Sequence, residues 1–264
     1  MNFSLMRLFV WLPTALLCLC TAVGAQTAPP TPKPFEDSIA QRSLACTHCH
    51  GAQGRAAPDG YYPRLAGKPA GYLYNQLLHF RDGRRHYGLM TQLLEPLSDG
   101  YLLEIAQYFA ELDLPYPAAP PAAGTRELVE RGRVLVMQGD ASRQLPACVQ
   151  CHGTRMTGVL PNVPGLLGLP RDYLNAQLGA WRTGKRRAHA PDCMAQLALR
   201  MSPDDIQAVS VWLASQPVPR DSKPAERLAP VAGLPVCGMA AITASATSAT
   251  SATSATSVKT GVVR

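Results

Sequence analysis

Leu102, Ile105, Ala106 and Phe109 recur at helical spacing, and Ile206, Val209 and Leu213 do the same a hundred positions later. Apolar residues three and four apart share one helix face, so each run predicts a helix buried along one side. The predicted spans are 99–112 and 203–216, with Ser98 and Ser202 as N-caps. Pro203 takes the first helical position, where its missing N–H costs nothing. Two more helices are predicted over 69–82 and 170–183, opened near Pro69 and Pro170 and stopped by Gly83 and Gly184. Amphipathic lead-in helices are predicted over 36–46 and 125–138. The pattern therefore describes an all-α chain with its helices in two similar sets.

The segments outside these helices differ in composition. Residues 115–123 are rich in Pro and Ala and read as a linker that cannot continue a helix. After the second set, residues 243–257 become an Ala-Thr-Ser repeat with little to bury, and 220–264 is expected to be a disordered tail. At the other end, Arg7 precedes an apolar run over 8–19, and Val23-Gly24-Ala25 supplies the small residues of a cleavage site. That run is short for a membrane span of about 20 residues, so 1–25 reads as an export signal whose removal discards Cys18 and Cys20. No later stretch is long and apolar enough to span a bilayer, which leaves room only for peripheral membrane association. The expected organisation is a signal over 1–25, a first domain over 26–114, the linker, a second domain over 124–219 and the tail.

The similarity between the two sets extends to the residues themselves. Pro63-Arg64-Leu65-Ala66-Gly67 matches Pro164-Gly165-Leu166-Leu167-Gly168, and Tyr72-Leu73-Tyr74-Asn75-Gln76-Leu77 matches Tyr173-Leu174-Asn175-Ala176-Gln177-Leu178. Phe80 to Arg85 then matches Trp181 to Arg186, and three extra residues follow in the second copy before Met90 aligns with Met194. A period of about 100 residues is too long for a solenoid and describes a domain duplicated in tandem.

Ahead of each repeat stands the same pentapeptide, Cys46-Thr47-His48-Cys49-His50 and Cys148-Val149-Gln150-Cys151-His152. Cys-x-x-Cys-His is the attachment spacing of c-type haem: the thiols add across the vinyl groups and the histidine reaches back to the iron. Two copies imply two covalently bound haem c groups. An export signal fits, since haem is attached to exported apocytochromes. The charge picture changes accordingly. A formal +7 falls to +6 without Arg7, and four propionates would bring it near +2, so the basic balance is weak evidence for nucleic acid, and none is expected. The charge is uneven, with 8 basic and 9 acidic residues over 26–115 against 11 and 7 over 116–217.

Each iron needs a sixth ligand or an open face. Met90 and Met194 sit at equivalent repeat positions, in expected loops before the closing helices, and methionine opposite histidine suits electron transfer. Met201 aligns with Leu97 and reads as core, Met137 falls on a lead-in helix, and Met156 is too close to His152 to reach the opposite face. His86 and His189 share the methionine loops and are the alternative ligands; His48 cannot comfortably reach its own iron, and His79 reads as a surface or packing residue. Pro63 and Pro164 open loops that could present a carbonyl to the ligating histidine, or could simply be rigid turns. Cys193 and Cys237 remain and could form a disulfide, with a reactive thiol or a Cys193 iron ligand as the alternatives.

These residues resemble the diheme class I cytochromes c of the cytochrome c4 type, over roughly 36–217. The resemblance rests on the paired attachment motifs followed by Gly51 and Gly153, the Pro-x-Leu-x-Gly turns, the basic segments before both methionines and the closing helices. It implies two tandem class I cytochrome c domains packed about a pseudo-twofold axis, each wrapped around one His/Met haem. Cys46, Cys49, His50 and Met90 would hold one haem, and Cys148, Cys151, His152 and Met194 the other. It further implies a periplasmic electron carrier in a respiratory chain, whose partners are a terminal oxidase, a cytochrome bc1-type complex or a dehydrogenase. Against that stand a diheme peroxidase or thiosulfate-oxidising enzyme, which needs an open or unusual iron, and a cytochrome subunit docked to a periplasmic dehydrogenase. A four-thiolate zinc site or a pair of redox dithiols would leave the two histidines and the duplicated methionines without a role.

Overall fold

In a computed structural model, the described residues are 36–57, 60–226 and 234–240, so the expected export signal over 1–25 and the Ala-Thr-Ser repeat lie outside them. The helices follow the predicted pattern with informative departures. The first lead-in span divides at Ser43 into α1 (Ile39–Arg42) and α2 (Leu44–His50), and α2 carries the first haem motif. It is followed by α3 (Ala70–Arg81), α4 (Gly88–Leu94) and α5 (Asp99–Glu111). The second half runs α6 (Arg126–Met137), α7 (Cys148–His152), α8 (Arg171–Arg182), α9 (Cys193–Arg200) and α10 (Pro203–Ser215). One antiparallel ladder interrupts the helices, β1 (Gly158–Val159) with β2 (Val163–Pro164), in the register Val159 to Val163.

Each half has its own apolar core. In the first, α3 packs on α5 through Leu73, Tyr74, Leu78 and Phe80 against Leu102, Ile105, Ala106 and Phe109. In the second, α10 lies between α6 and α8, burying Leu135, Val136, Leu174 and Leu178 against Ile206, Val209 and Leu213. The α6–α10 approach is close because a Cβ on Gly132 would collide with the Ala208 carbonyl.

Closing helices are capped as their sequences require. The Ser98 hydroxyl accepts from the Tyr101 N–H, and Ser202 forms a reciprocal box with Asp205. The linker is extended and held by Arg64, whose buried guanidinium donates to the Leu114 and Pro115 carbonyls and lies 3.9 Å from the Tyr116 ring centroid.

Two expectations are corrected. Met90 and Met194 lie in the short helices α4 and α9 rather than in loops. The tail is also not free throughout. Residues 220–226 lie along β1, where Ala225 exchanges backbone hydrogen bonds with Gly158 and Leu160, and 234–240 is attached through a Cys193–Cys237 disulfide.

Candidate haem sites

Both motif histidines end a short helix and turn inward. Gly51 and Gly153 follow them with φ of 75° and 84°, and a Cβ on Gly51 would collide with the Ala56 carbonyl. This sharp exit buries the rings of His50 and His152. The His50 Nδ1–H donates to the Pro63 carbonyl at 2.8 Å, and the His152 Nδ1–H to the Pro164 carbonyl at 2.7 Å. Placing the proton on Nδ1 leaves each Nε2 lone pair for a metal and fixes the ring plane. Burial also pushes both pKa values down, toward the neutral form that ligates. The prolines therefore do more than stiffen a turn.

None of the four motif cysteines enters a disulfide, which leaves all four sulfurs available for thioether bonds. Burial raises the pKa of Cys46 and Cys151, and pushes Cys148 up to about 12. Reactive dithiols have depressed values, the opposite direction to the one burial gives Cys46, Cys148 and Cys151. Nor do the two pairs converge into a zinc site: among the described residues, no three His, Cys, Asp or Glu side chains gather to hold a metal.

A cavity of about 1060 Å³ is lined by both motifs and by Met90 and Met194 together. It exceeds the upper size of an ordinary single-ligand pocket, about 1,000 Å³. Met90 also packs on the first core and Met194 on the second. The other methionines divide as expected for the most part. Met201 is buried in the second core while touching the cavity, Met137 is exposed, and Met156 is buried away from the cavity. Met239, in the attached part of the tail, lines the cavity too and had no signal except its nearness to Cys237.

The seam between the halves is basic and symmetric. Arg85 donates to Gln76 at 3.0 Å and Gln177 at 2.7 Å, and Arg186 donates to Gln177 at 3.0 Å and Gln76 at 2.8 Å. These are equivalent residues exchanged across a local twofold, and the two arginines pair backbones in an antiparallel bridge. Lys68, 5% exposed, donates to the Gly165 carbonyl at 3.0 Å. Burial and then the nearby Arg85 push the Arg186 pKa down. All three cations line the cavity, and their hydrogen-bond partners among the described residues are neutral. Buried charge is stable only when balanced, so this lining fits a ligand with carboxylates, as haem propionates are.

His48 and His86 are exposed. His79 is only 3% exposed and its ring meets that of His189 at a tilt of 51°, 5.0 Å between centroids, so it is a packing residue. Burial, with His189 and Arg186 nearby, lowers its pKa to about 4. One feature of the first site carried no signal in the sequence pattern: the Tyr62 ring meets His50 edge-on at 5.9 Å, and its hydroxyl lies 3.2 Å from that of Tyr87.

No protein-family model matches the chain. It is 39% identical over 176 residues to a thiosulfate dehydrogenase electron acceptor of Thiomonas intermedia, covering 67% of this chain and 80% of that protein. To a cytochrome c4 of Pseudomonas aeruginosa it is 34% identical over 174 residues, covering 65% of this chain and 84% of that one. Its fold resembles reduced recombinant cytochrome c4 from Pseudomonas stutzeri, with a TM-score of 0.58 and 30% identity, over 67% of this chain and 96% of the other.

Proposed function

Because the chain belongs to the cytochrome c4 family of diheme c-type cytochromes, we propose that it takes up electrons from a thiosulfate dehydrogenase in the periplasm and passes them toward a terminal oxidase. The chain is an electron carrier with two covalently bound haems rather than an enzyme. Each haem supplies a one-electron ferric/ferrous couple when bound. Cys46 and Cys49 would anchor the first, with His50 and Met90 on its two faces; Cys148, Cys151, His152 and Met194 would serve the second.

What carries this reading is the paired His–Pro carbonyl geometry opening on one cavity that also holds both methionines. Histidine and methionine together would leave an iron no open site for a substrate, which suits transfer without turnover. Lys68, Arg85 and Arg186 would balance propionate charge at the seam. The Thiomonas relative, named as a thiosulfate dehydrogenase electron acceptor, supports this choice of donor. An export address agrees with the signal-like residues 1–25, and among the described residues no helix is long and apolar enough to cross a membrane.

The test is rapid mixing of the oxidised holoprotein with a thiosulfate dehydrogenase and thiosulfate. The expected result is reduction of both haems that requires dehydrogenase and thiosulfate together. Reduction no faster than with thiosulfate alone would remove the donor assignment.

A further inference from the structure

Residues 234–240 cross from one half of the molecule to the other. Cys237 is bonded to Cys193, the first residue of α9 and the neighbour of Met194. The Gly238 N–H donates to the Pro191 carbonyl at 2.9 Å, so close to the backbone that a Cβ on Gly238 would collide with the Ala190 carbonyl. Met239 meets the Asn162 amide through its sulfur. Three residues past the disulfide, the Ala240 N–H donates to Asn75 Oδ1 at 2.8 Å, and Ala240 packs on the first core.

The landing place is peculiar to the first copy. Asn75 is buried on α3, with its Nδ2 donating to the Gly71 carbonyl at 2.7 Å. One helical turn earlier, Gly71 admits the 161–162 loop of the second half, where a Cβ would collide with Asn162. The equivalent positions of the second copy are Ala176 and Asp172, which could offer neither the amide nor the space. The duplication has therefore diverged where the strap and its supporting loop sit.

We propose that 234–240 is a disulfide-locked clamp that ties the second methionine helix, α9, to α3 of the first half, and that thiolate attack at Cys237 opens it. Cys237 is exposed while Cys193 is 7% exposed, so an incoming thiolate reaches the Cys237 sulfur. A new sulfur–sulfur bond forms there, and the bond to Cys193 breaks. The electron pair leaves on Cys193 Sγ, which takes a proton from solvent. The second thiol of a dithiol then displaces Cys237, so the dithiol is oxidised by two electrons and both cysteines end as thiols. Opening frees α9 and Met194 on the second haem while leaving the first haem's ligands in place.

The part concerning haem ligation rests on the proposed role of Met194, so the test has two arms. Native holoprotein is treated with dithiothreitol, alkylated with iodoacetamide and reoxidised with ferricyanide, and Cys237→Ser is prepared as a chemically independent equivalent. Amide hydrogen exchange is then followed in 238–240 and α9, beside the reduction potential of each haem. The clamp predicts exchange about tenfold faster or more in those segments, a changed second potential and an unchanged first potential, in both preparations. Unchanged exchange in both overturns it. Met194→His separates the two readings: if it leaves the second haem's spectrum unaltered while opening still accelerates exchange, the ligand assignment fails and the clamp stands. If it alters the spectrum while opening leaves exchange unmoved, the clamp fails and the ligand assignment stands.

Discussion

The two halves follow one sequence plan yet anchor their closing helices by different physics. In the first, α5 has a lone Ser98 cap and depends on apolar burial, with Phe109 and Leu102 nearly inaccessible. In the second, Asp205 of α10 is 0% exposed and its carboxylate accepts from Arg131 on α6, from Arg143 and from the Ser202 N–H, while its own N–H donates to the Ser202 hydroxyl. Burial alone would raise the Asp205 pKa, but the hydrogen bonds from Arg143, Ser202 and Arg131 outweigh it and hold it at about 2. One half is closed by shape, the other by a satisfied buried charge. The first half should therefore lose less from removal of an exposed ion pair of α5, such as Arg81–Asp99, than the second loses from removal of Asp205.

The largest expected effect is therefore from Asp205→Ala, which takes the buried acceptor from Arg131, Arg143 and the Ser202 N–H, although Arg143 keeps Asp140. It should destabilise the second half by about 2–3 kcal/mol in urea unfolding followed at the two haems. Asp99→Ala, which removes an exposed partner of Arg81 in the first half, should cost roughly 0.2–1 kcal/mol. Equal losses would mean that the halves are not anchored differently.

Acid should separate the halves next. His79 is buried neutral with a pKa of about 4, below its ordinary 6.5, so protonation favours the unfolded chain. Its contribution, about 3 kcal/mol, is present above pH 6.5 and lost as pH falls toward 4. Asp205 is held charged, so its contribution of about 2 kcal/mol persists above pH 4 and is lost as pH falls through about 2. Stability against pH should thus fall in two steps, and His79→Phe should remove the upper one alone.

Methionine replacement sharpens the comparison at the irons. Met90→His and Met194→His should each lower one potential by more than about 59 mV, a tenfold step for one electron, and leave the other within half that. A shift shared by both haems, or by neither, would contradict one methionine per iron. Asn75→Ala, losing the hydrogen bonds to Gly71 and to Ala240, should cost about 1 kcal/mol. Its equivalent in the second copy is already Ala176.

Much of the architecture was legible because it depends on local pattern. The two pentapeptides, the capped closing helices and the matched Pro-x-Leu-x-Gly turns each declare themselves within a few residues. The break at Ser43 did not, since neither Gly nor Pro marks it. The methionine helices escaped because α4 has 7 residues and α9 has 8, too few turns to establish a period. The ladder at Gly158 and Val163 is shorter still. Composition marked the tail as having little to bury, whereas the leftover pair Cys193 and Cys237 already pointed to a bond that holds the apolar stretch 234–240 in place. Repeat matching aligned Arg85 with Arg186, but equivalence in a duplication says nothing about the two meeting across a symmetry axis.

Near-infrared magnetic circular dichroism during a potentiometric titration of the purified holoprotein tests the paired His/Met sites most directly. Two low-spin ferric haems should appear, each with a sulfur-to-iron band that disappears in its own one-electron step. A high-spin component, or a single sulfur band for two irons, would contradict the account.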